Sequence, residues 1–410
     1  MPRECDRIKS EEETLTEKNS KPRRLLWNVV RAAVTVGAVA YVVSQITWRD
    51  RLRLPDGEVV WGWKVDGPDG TPVFKASDGQ DYPIPKEMHD TDPNAPYIAG
   101  FITLWRGVNL WGLIGVILLY PMVIFLTARR WQWLLQTHQL DPGYWEAVRL
   151  TWMGILTNNV FPGSTGGDLV KGWCIYRRSP GKQVPAVMTV LMDRVLGLIS
   201  LLIVGAVTVL LVSDRPELRV PSMFVWFGLL GVFVGGIVYF SGRLRRLLRV
   251  SDIVNRLPFN DKIRKLDHSV FHYRDHVPVL SKAIGISLIV HIWAILCVYG
   301  VGLSLGLAVP VFYYFIFLPV ILTVGAVVPA IGGLGVLEVQ FQEFFSLEGV
   351  GATPSSALAL CILYRLMLLV ASLPGAVPTF KELSYGSVPR NLTEENGAGS
   401  EPIVNYKAAC

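Results

Sequence analysis

Apolar residues along this chain gather into blocks instead of stripes. Runs near 25–46, 102–127, 146–162, 185–212, 223–240, 283–308, 311–330 and 356–378 carry few charges. Blocks of about 20 residues match the length of helix needed to cross ~30 Å of hydrocarbon. A soluble chain of this size would show short periodic helices and strands instead. The pattern predicts an all-α polytopic membrane protein.

Composition agrees, with 51% hydrophobic and 18% charged residues, against about 25% charged in soluble domains. Lys and Arg set the orientation, because they accumulate on the cytoplasmic side. Residues 1–24 hold seven, residues 128–182 hold seven against three acids, and residues 241–282 hold ten against four. These regions are expected inside. Segment 47–100, with six basic and ten acidic residues, is expected outside. The net charge of +6 is thereby read as loop charge and not as a nucleic-acid footprint. Cys5, Cys174, Cys297, Cys361 and Cys410 show no metal-like spacing, so no disulfide framework, metal or cofactor is expected.

The expected organisation is a disordered cytoplasmic tail (1–24), a first transmembrane helix (25–46), an exoplasmic insertion (47–100), a transmembrane domain (101–380) and a C-terminal tail (381–410). The first apolar run is too long for a signal-peptide core, so it reads as a retained span. In the insertion, Glu58–Val65 and Thr71–Ala76 alternate around the turn cluster Asp66-Gly67-Pro68-Asp69-Gly70, which is hairpin chemistry. Trp61 and Trp63 fit either that strand or the membrane interface. Segment 241–282 reads as an amphipathic helix with His268, His272 and His276 on one face, a solvated stripe before a metal site.

An internal repeat carries the most information. Val160-Phe161-Pro162-Gly163-Ser164-Thr165-Gly166-Gly167-Asp168-Leu169 and Val327-Val328-Pro329-Ala330-Ile331-Gly332-Gly333-Leu334-Gly335 lie about 167 residues apart. Each follows an apolar run, and each precedes a helix bearing an arginine, Arg194 or Arg365. Pro and Gly pairs break helices. Broken backbone at membrane depth is tolerated only against protein or a watery cavity. Matched breaks in two halves point to a transporter's site. The loop charges then fit six full spans plus two re-entrant hairpins, 146–182 from the inside and 311–350 from the outside. The halves, about 101–212 and 283–380, become an inverted repeat. If both hairpin arms span, about eight spans follow.

Asn159 to Gly163, Gly167 to Lys171, Asp193-Arg194, Pro329 to Val336 with Glu338, and Tyr364-Arg365 together resemble the flippase-like membrane domain of lysylphosphatidylglycerol synthases, over roughly 102–380. The resemblance implies an inner (plasma) membrane protein that moves a phospholipid or lipid-linked head group between leaflets. It implies membrane lipids as partners, together with a lipid-modifying or glycosyl-transferring enzyme or a second copy of the chain. The chain ends about 30 residues after the last span, so the aminoacyl-transferase part is expected to be absent and the chain not to be an enzyme. The competing readings are an intramembrane transferase acting on a polyprenyl-phosphate or phospholipid, and a non-transporting partner that presents the insertion.

The candidate substrate-binding groove uses Gly163, Gly166 and Gly167 for close backbone approach. The helix resuming at Asp168 offers free N–H groups, and Gly332, Gly333 and Gly335 do the same in the second half. Arg194 and Arg365 offer planar forks for phosphate. Asp168 and Glu338 pair those arginines or meet a cationic head group, and Lys171 meets phosphate at the cytoplasmic mouth. The plainer alternatives are an Asp193–Arg194 pair, a snorkelling Lys171, an Asp168 that only caps its helix and a solvated Glu338. Arg129-Arg130-Trp131-Gln132-Trp133 reads as an interfacial anchor, and His291, inside a span, as a packing residue before a proton relay.

Overall fold

A computed structural model describes residues 46–54, 56–66, 72–77, 79–84, 96–160, 166–212, 216–240, 272–327 and 335–385, together with the isolated positions 36, 40 and 44. The expected first span, the expected tails before 36 and after 385, and most of the expected amphipathic segment lie outside them.

Five strands come first: β1 (Asp50–Arg53), β2 (Val59–Asp66), β3 (Pro72–Ala76), β4 (Asp81–Pro83) and β5 (Tyr97–Ile98). They form one antiparallel sheet in the order β4-β3-β2-β1-β5. The expected hairpin pairs Gly62 with Ala76 and Val65 with Val73. Trp61 and Trp63 therefore sit in a strand, with Trp61 directly opposite Arg51.

Twelve helices follow among the described residues. They are α1 (Phe101–Arg106), α2 (Leu110–Leu119), α3 (Pro121–Thr137), α4 (Tyr144–Val160), α5 (Gly166–Arg178), α6 (Gln183–Leu211), α7 (Arg219–Phe240), α8 (Val277–Ser304), α9 (Val311–Val327), α10 (Val336–Phe345), α11 (Pro354–Ser372) and α12 (Ala376–Tyr385). Among the described residues, four stretches are long and apolar enough to cross a membrane: Leu110–Thr137, Gln183–Leu211, Val277–Ser304 and Pro354–Phe380. The chain is an integral, multi-pass, mostly helical membrane protein. The helix ends follow local chemistry. Asn109 caps α2 by accepting from Gly112 N–H at 3.1 Å. Thr353 caps α11, with Pro354 pre-set in its first turn. Gly306, at φ +78°, ends the turn after α8.

One end of the bundle carries the sheet. Leu52, Phe74 and Tyr97 share a core with Leu305, Val309, Phe345 and Val350. Thr47 N–H donates to Ser355 Oγ at 3.1 Å, which ties the sheet to the start of α11. Asp50, fully buried, joins sheet to helix: it accepts from Lys64 N–H (2.7 Å), Gly100 N–H (2.7 Å), Tyr97 OH (3.0 Å) and Thr103 OH (2.9 Å). A buried carboxylate is tolerated when its lone pairs are filled in this way. Asp50→Ala should cost about 2–3 kcal/mol and loosen the sheet alone. Limited proteolysis should then cut within 54–96 and spare the helices.

At the other end, Asp141 links α3 to α4. Burial alone would raise its carboxyl pKa. Hydrogen bonds from Gln132, Gly143 N–H and Gln136, with the charge of Arg129, outweigh that and hold it below the ordinary 3.8. A depressed folded pKa gives stability that is present above the unfolded value and is lost as pH falls through the folded one. The thermal-unfolding gap between native protein and Asp141→Asn should therefore shrink as the solution is acidified below about pH 4.

Two helix pairs fold back on themselves. In the first, α4 and α5 meet so closely that a Cβ on Gly167 would lie 1.7 Å from Gly154 O. At their far ends, Arg178 pairs with Glu146. In the second, α9 and α10 meet at Gly325 and Leu337, and Tyr314 packs edge-on against Phe345 at their far ends, 5.0 Å between centroids. The first pair opens away from the sheet, where the charged cluster Glu146–Arg178–Glu382 also binds α12. The second opens toward it. Pro319, inside α9, is accommodated because Gly205 of α6 leaves room: a Cβ there would stand 3.1 Å from Pro319 Cβ. His272–His276 is a short 3-10 turn, so the expected α-helical histidine spacing does not hold there, and His268 lies outside the described residues.

Candidate functional site

The second helix of each pair carries a carboxylate in its first turn. Asp168 is the third residue of α5 and Glu338 the third of α10. Both stand where a helix favours negative charge, because the free N–H groups point that way. Glu338 Oε2 accepts from Gly335 N–H at 2.8 Å, and Gly335 holds φ +82°, a left-handed conformation that glycine adopts without strain. In the first half, Asn158 Oδ1 takes the Gly167 N–H at 2.7 Å.

Each carboxylate then meets the arginine of the next long helix. Arg194 Nε donates to Asp168, and Arg365 Nε lies 2.6 Å from Glu338 Oε1, with Nη2 3.2 Å from Oε2. The sequence separations are 26 and 27 residues. The halves differ in exposure. The Arg194 side chain is 50% exposed and that of Arg365 25%, so the first pair opens further to its surroundings. The halves also touch: Asn159, at the tip of the first pair, donates to Leu368 O at 3.3 Å, one turn beyond Arg365.

Behind Arg194 lies a second, buried charge cluster. Asp193 accepts from Arg130 Nε at 2.7 Å, and Lys171 Nζ lies 3.6 Å from its other oxygen. Arg130 also donates to Ser287 Oγ at 2.7 Å. Lys171 Nζ sits 3.8 Å from the centre of the Trp131 ring, a cation–π contact. Trp131 is oriented by its own bond to Thr189 Oγ1 at 3.0 Å. Helices α3, α5, α6 and α8 thus each contribute to one desolvated polar centre.

Asp168 with Arg194, and Glu338 with Arg365, are brought together. Lys171 is buried against Asp193 and Trp131, which corrects the expectation that it sits at the cytoplasmic mouth or snorkels. Asp193 faces Arg130 and Lys171 and does not pair with Arg194, because adjacent helical residues project about 100° apart. Glu338 is buried, which excludes the solvated alternative. Gly166 starts α5, and Gly167 makes the close crossing. Gly163, Gly332 and Gly333 lie outside the described residues.

Arg130 and Trp131 were not among the expected site residues. Read as part of an interfacial anchor, they are buried at 6% and 0%. Only Arg129 fits that role, lying over Trp133 and Tyr144. The signal was periodicity: Val123, Arg130 and Leu134 recur seven and four residues apart, which puts Arg130 on the buried face of α3.

Comparison with known proteins gives one match. The family model described as the lysylphosphatidylglycerol synthase TM region covers residues 97–375, more than half of the chain, and begins where the sheet ends. No curated protein and no solved structure matches the chain.

Proposed function

This chain belongs to the lysylphosphatidylglycerol synthase TM-region family, and we propose that it is a flippase-like transporter moving a phospholipid or lipid-linked head group between leaflets. One observation carries this reading: the two carboxylate–arginine pairs, each set at the tip of a helix pair, reached from opposite ends of the bundle. Arg194 lies eleven residues into α6, which starts at the end away from the sheet. Arg365 lies eleven residues into α11, which starts at the sheet. At 1.5 Å per residue both stand about 16 Å along their helices, near the middle of spans of 29 and 27 residues, which in this reading is near the midplane of ~30 Å of hydrocarbon. The helix pairs are then two re-entrant hairpins of an inverted repeat.

A charge at the bilayer centre costs about 2.5–3.5 kcal/mol on insertion scales, so paired charges kept there serve a purpose. A phosphate moving between leaflets faces the same barrier. Arginine forks and free helix N–H groups lower it for an anion, while the carboxylates lower it for a cationic group. The acyl tails stay in lipid. In this reading residues 1–24 are cytoplasmic and the sheet is outside, an orientation that the Lys and Arg bias of the loops supports, and the membrane is the inner (plasma) membrane. No catalytic role is assigned to any residue, because the two carboxylates serve different halves and form no acid–base pair.

The test is flipping of fluorescent phospholipids with anionic or cationic head groups in vesicles carrying the purified protein. Protein-dependent flipping of at least one class is expected. Folded protein that flips none, beside a transferase activity on polyprenyl-phosphate, would replace the transport reading with the enzymatic one.

A further inference from the structure

The two halves match position by position around their ion pairs, with a shift of about 170 residues: Asp168 with Glu338, and Arg194 with Arg365. The same shift sets Lys171 against Phe341 and Asp193 against Tyr364. The members of each pair touch, but through opposite chemistry. Lys171 and Asp193 form an ion pair at 3.6 Å. Phe341 and Tyr364 stack, with centroids 5.9 Å apart and ring planes at 27°. One half carries charge behind its Asp168–Arg194 pair, and the other places aromatic rings there.

The charge in the first half does not balance. Among the described residues, the groups acting on one another there are Arg130, Lys171 and Arg194 on the cationic side, with Asp168 and Asp193 on the anionic side. Arg194 and Asp168 neutralise each other, which leaves one carboxylate, Asp193, shared by two buried cations. A buried cation without a full partner is costly. His291 joins the cluster beside Arg130, with its ring hydrogen-bonded to the backbone of Gly197. A Cβ on Gly197 would stand 3.5 Å from Arg130 Nη1 and 3.9 Å from His291 Nε2.

Building on the transport reading, we propose that the first half alone holds the resting site for the substrate, a phosphate-type anion seated on Lys171 and Arg130 behind the Asp168–Arg194 pair. The anion supplies the charge that Asp193 cannot supply twice. The second half is a passage, because its Phe341–Tyr364 stack offers an anion nothing. The same chemistry could come from a lipid phosphodiester or from free phosphate.

Thermal unfolding of detergent-purified protein, titrated with inorganic phosphate, short-chain phosphatidylglycerol and short-chain phosphatidylcholine, separates these sources. Lys171→Met removes the surplus cation and leaves Arg130–Asp193 as a neutral pair. Phe341 shows that an apolar side chain is accommodated at the matching position. Native protein should show a saturable upward shift with at least one anionic probe, and Lys171→Met should need at least tenfold more of it. Asp193→Asn should unfold at a lower temperature without ligand, yet bind the anion at least as tightly as native protein. A merely structural role for Asp193 would not produce that opposite movement. Response to phosphatidylglycerol but not to inorganic phosphate assigns the site to a lipid, and the reverse assigns it to a free anion. No saturable shift in native protein, or equal shifts in all three proteins, would overturn the proposal. Flipping without an anion-dependent shift would remove this site and leave the transport reading. A shift without flipping would do the opposite.

Discussion

Gly167→Ala should nearly abolish recovery of folded protein. The added Cβ would lie 1.7 Å from Gly154 O and 2.8 Å from Asn158 Cγ. The first obstacle is backbone, so no rotamer change relieves it. The crossing of α4 and α5 must open, and with it go the Asn158 bond to Gly167 N–H and the placement of Asp168 one residue later. Overpacking in a core costs about 1–3 kcal/mol where side chains can adjust. Here the backbone must move, so the loss should exceed about 3 kcal/mol. The check is monodisperse yield after detergent extraction, with Gly172→Ala as the control, since a Cβ at Gly172 meets nothing within 4 Å. Normal yield of Gly167→Ala would mean that the two helices do not cross where described.

Arg365→Ala should reduce flipping more than tenfold. It leaves Glu338 buried beside Gly335 N–H without its cation. Removing one partner of a buried pair costs about 3–5 kcal/mol. Because Arg365 is a quarter exposed, the lower end applies. Stability loss and function loss are separable. The double variant Glu338→Leu with Arg365→Leu removes both charges, so it should regain most of the lost unfolding temperature while transport stays low. If the pair only held helices together, the double variant would recover both.

Much of this was legible in the sequence because one pattern occurs twice along it. A Pro-Gly break, a carboxylate in the following turn and an arginine in the next apolar run form a pattern whose recurrence singled out Asp168, Arg194, Glu338 and Arg365. The hairpin strands were equally plain, since turn residues bracket an alternating run. The buried cluster was harder to see. Arg129 and Arg130 are adjacent and chemically identical, and only their angular position on α3 separates an interfacial arginine from one that reaches Asp193. Asp193-Arg194 posed the same problem, because two opposite charges side by side suggest a local pair that helical geometry forbids. The partners of Arg130 lie 63 and 157 residues away, and no local pattern encodes such distances. Asp50 was invisible for a related reason: it bonds backbone and hydroxyl groups that become neighbours only when the sheet docks on α1.

The most direct measurement is flipping of fluorescent phospholipids across vesicles by native protein and by the Glu338→Leu, Arg365→Leu double variant, compared at matched stability. Native protein should flip well above protein-free vesicles, and the double variant should stay near the protein-free rate, if transport runs through this pair. Native protein no faster than empty vesicles, or a double variant as fast as native, would contradict it.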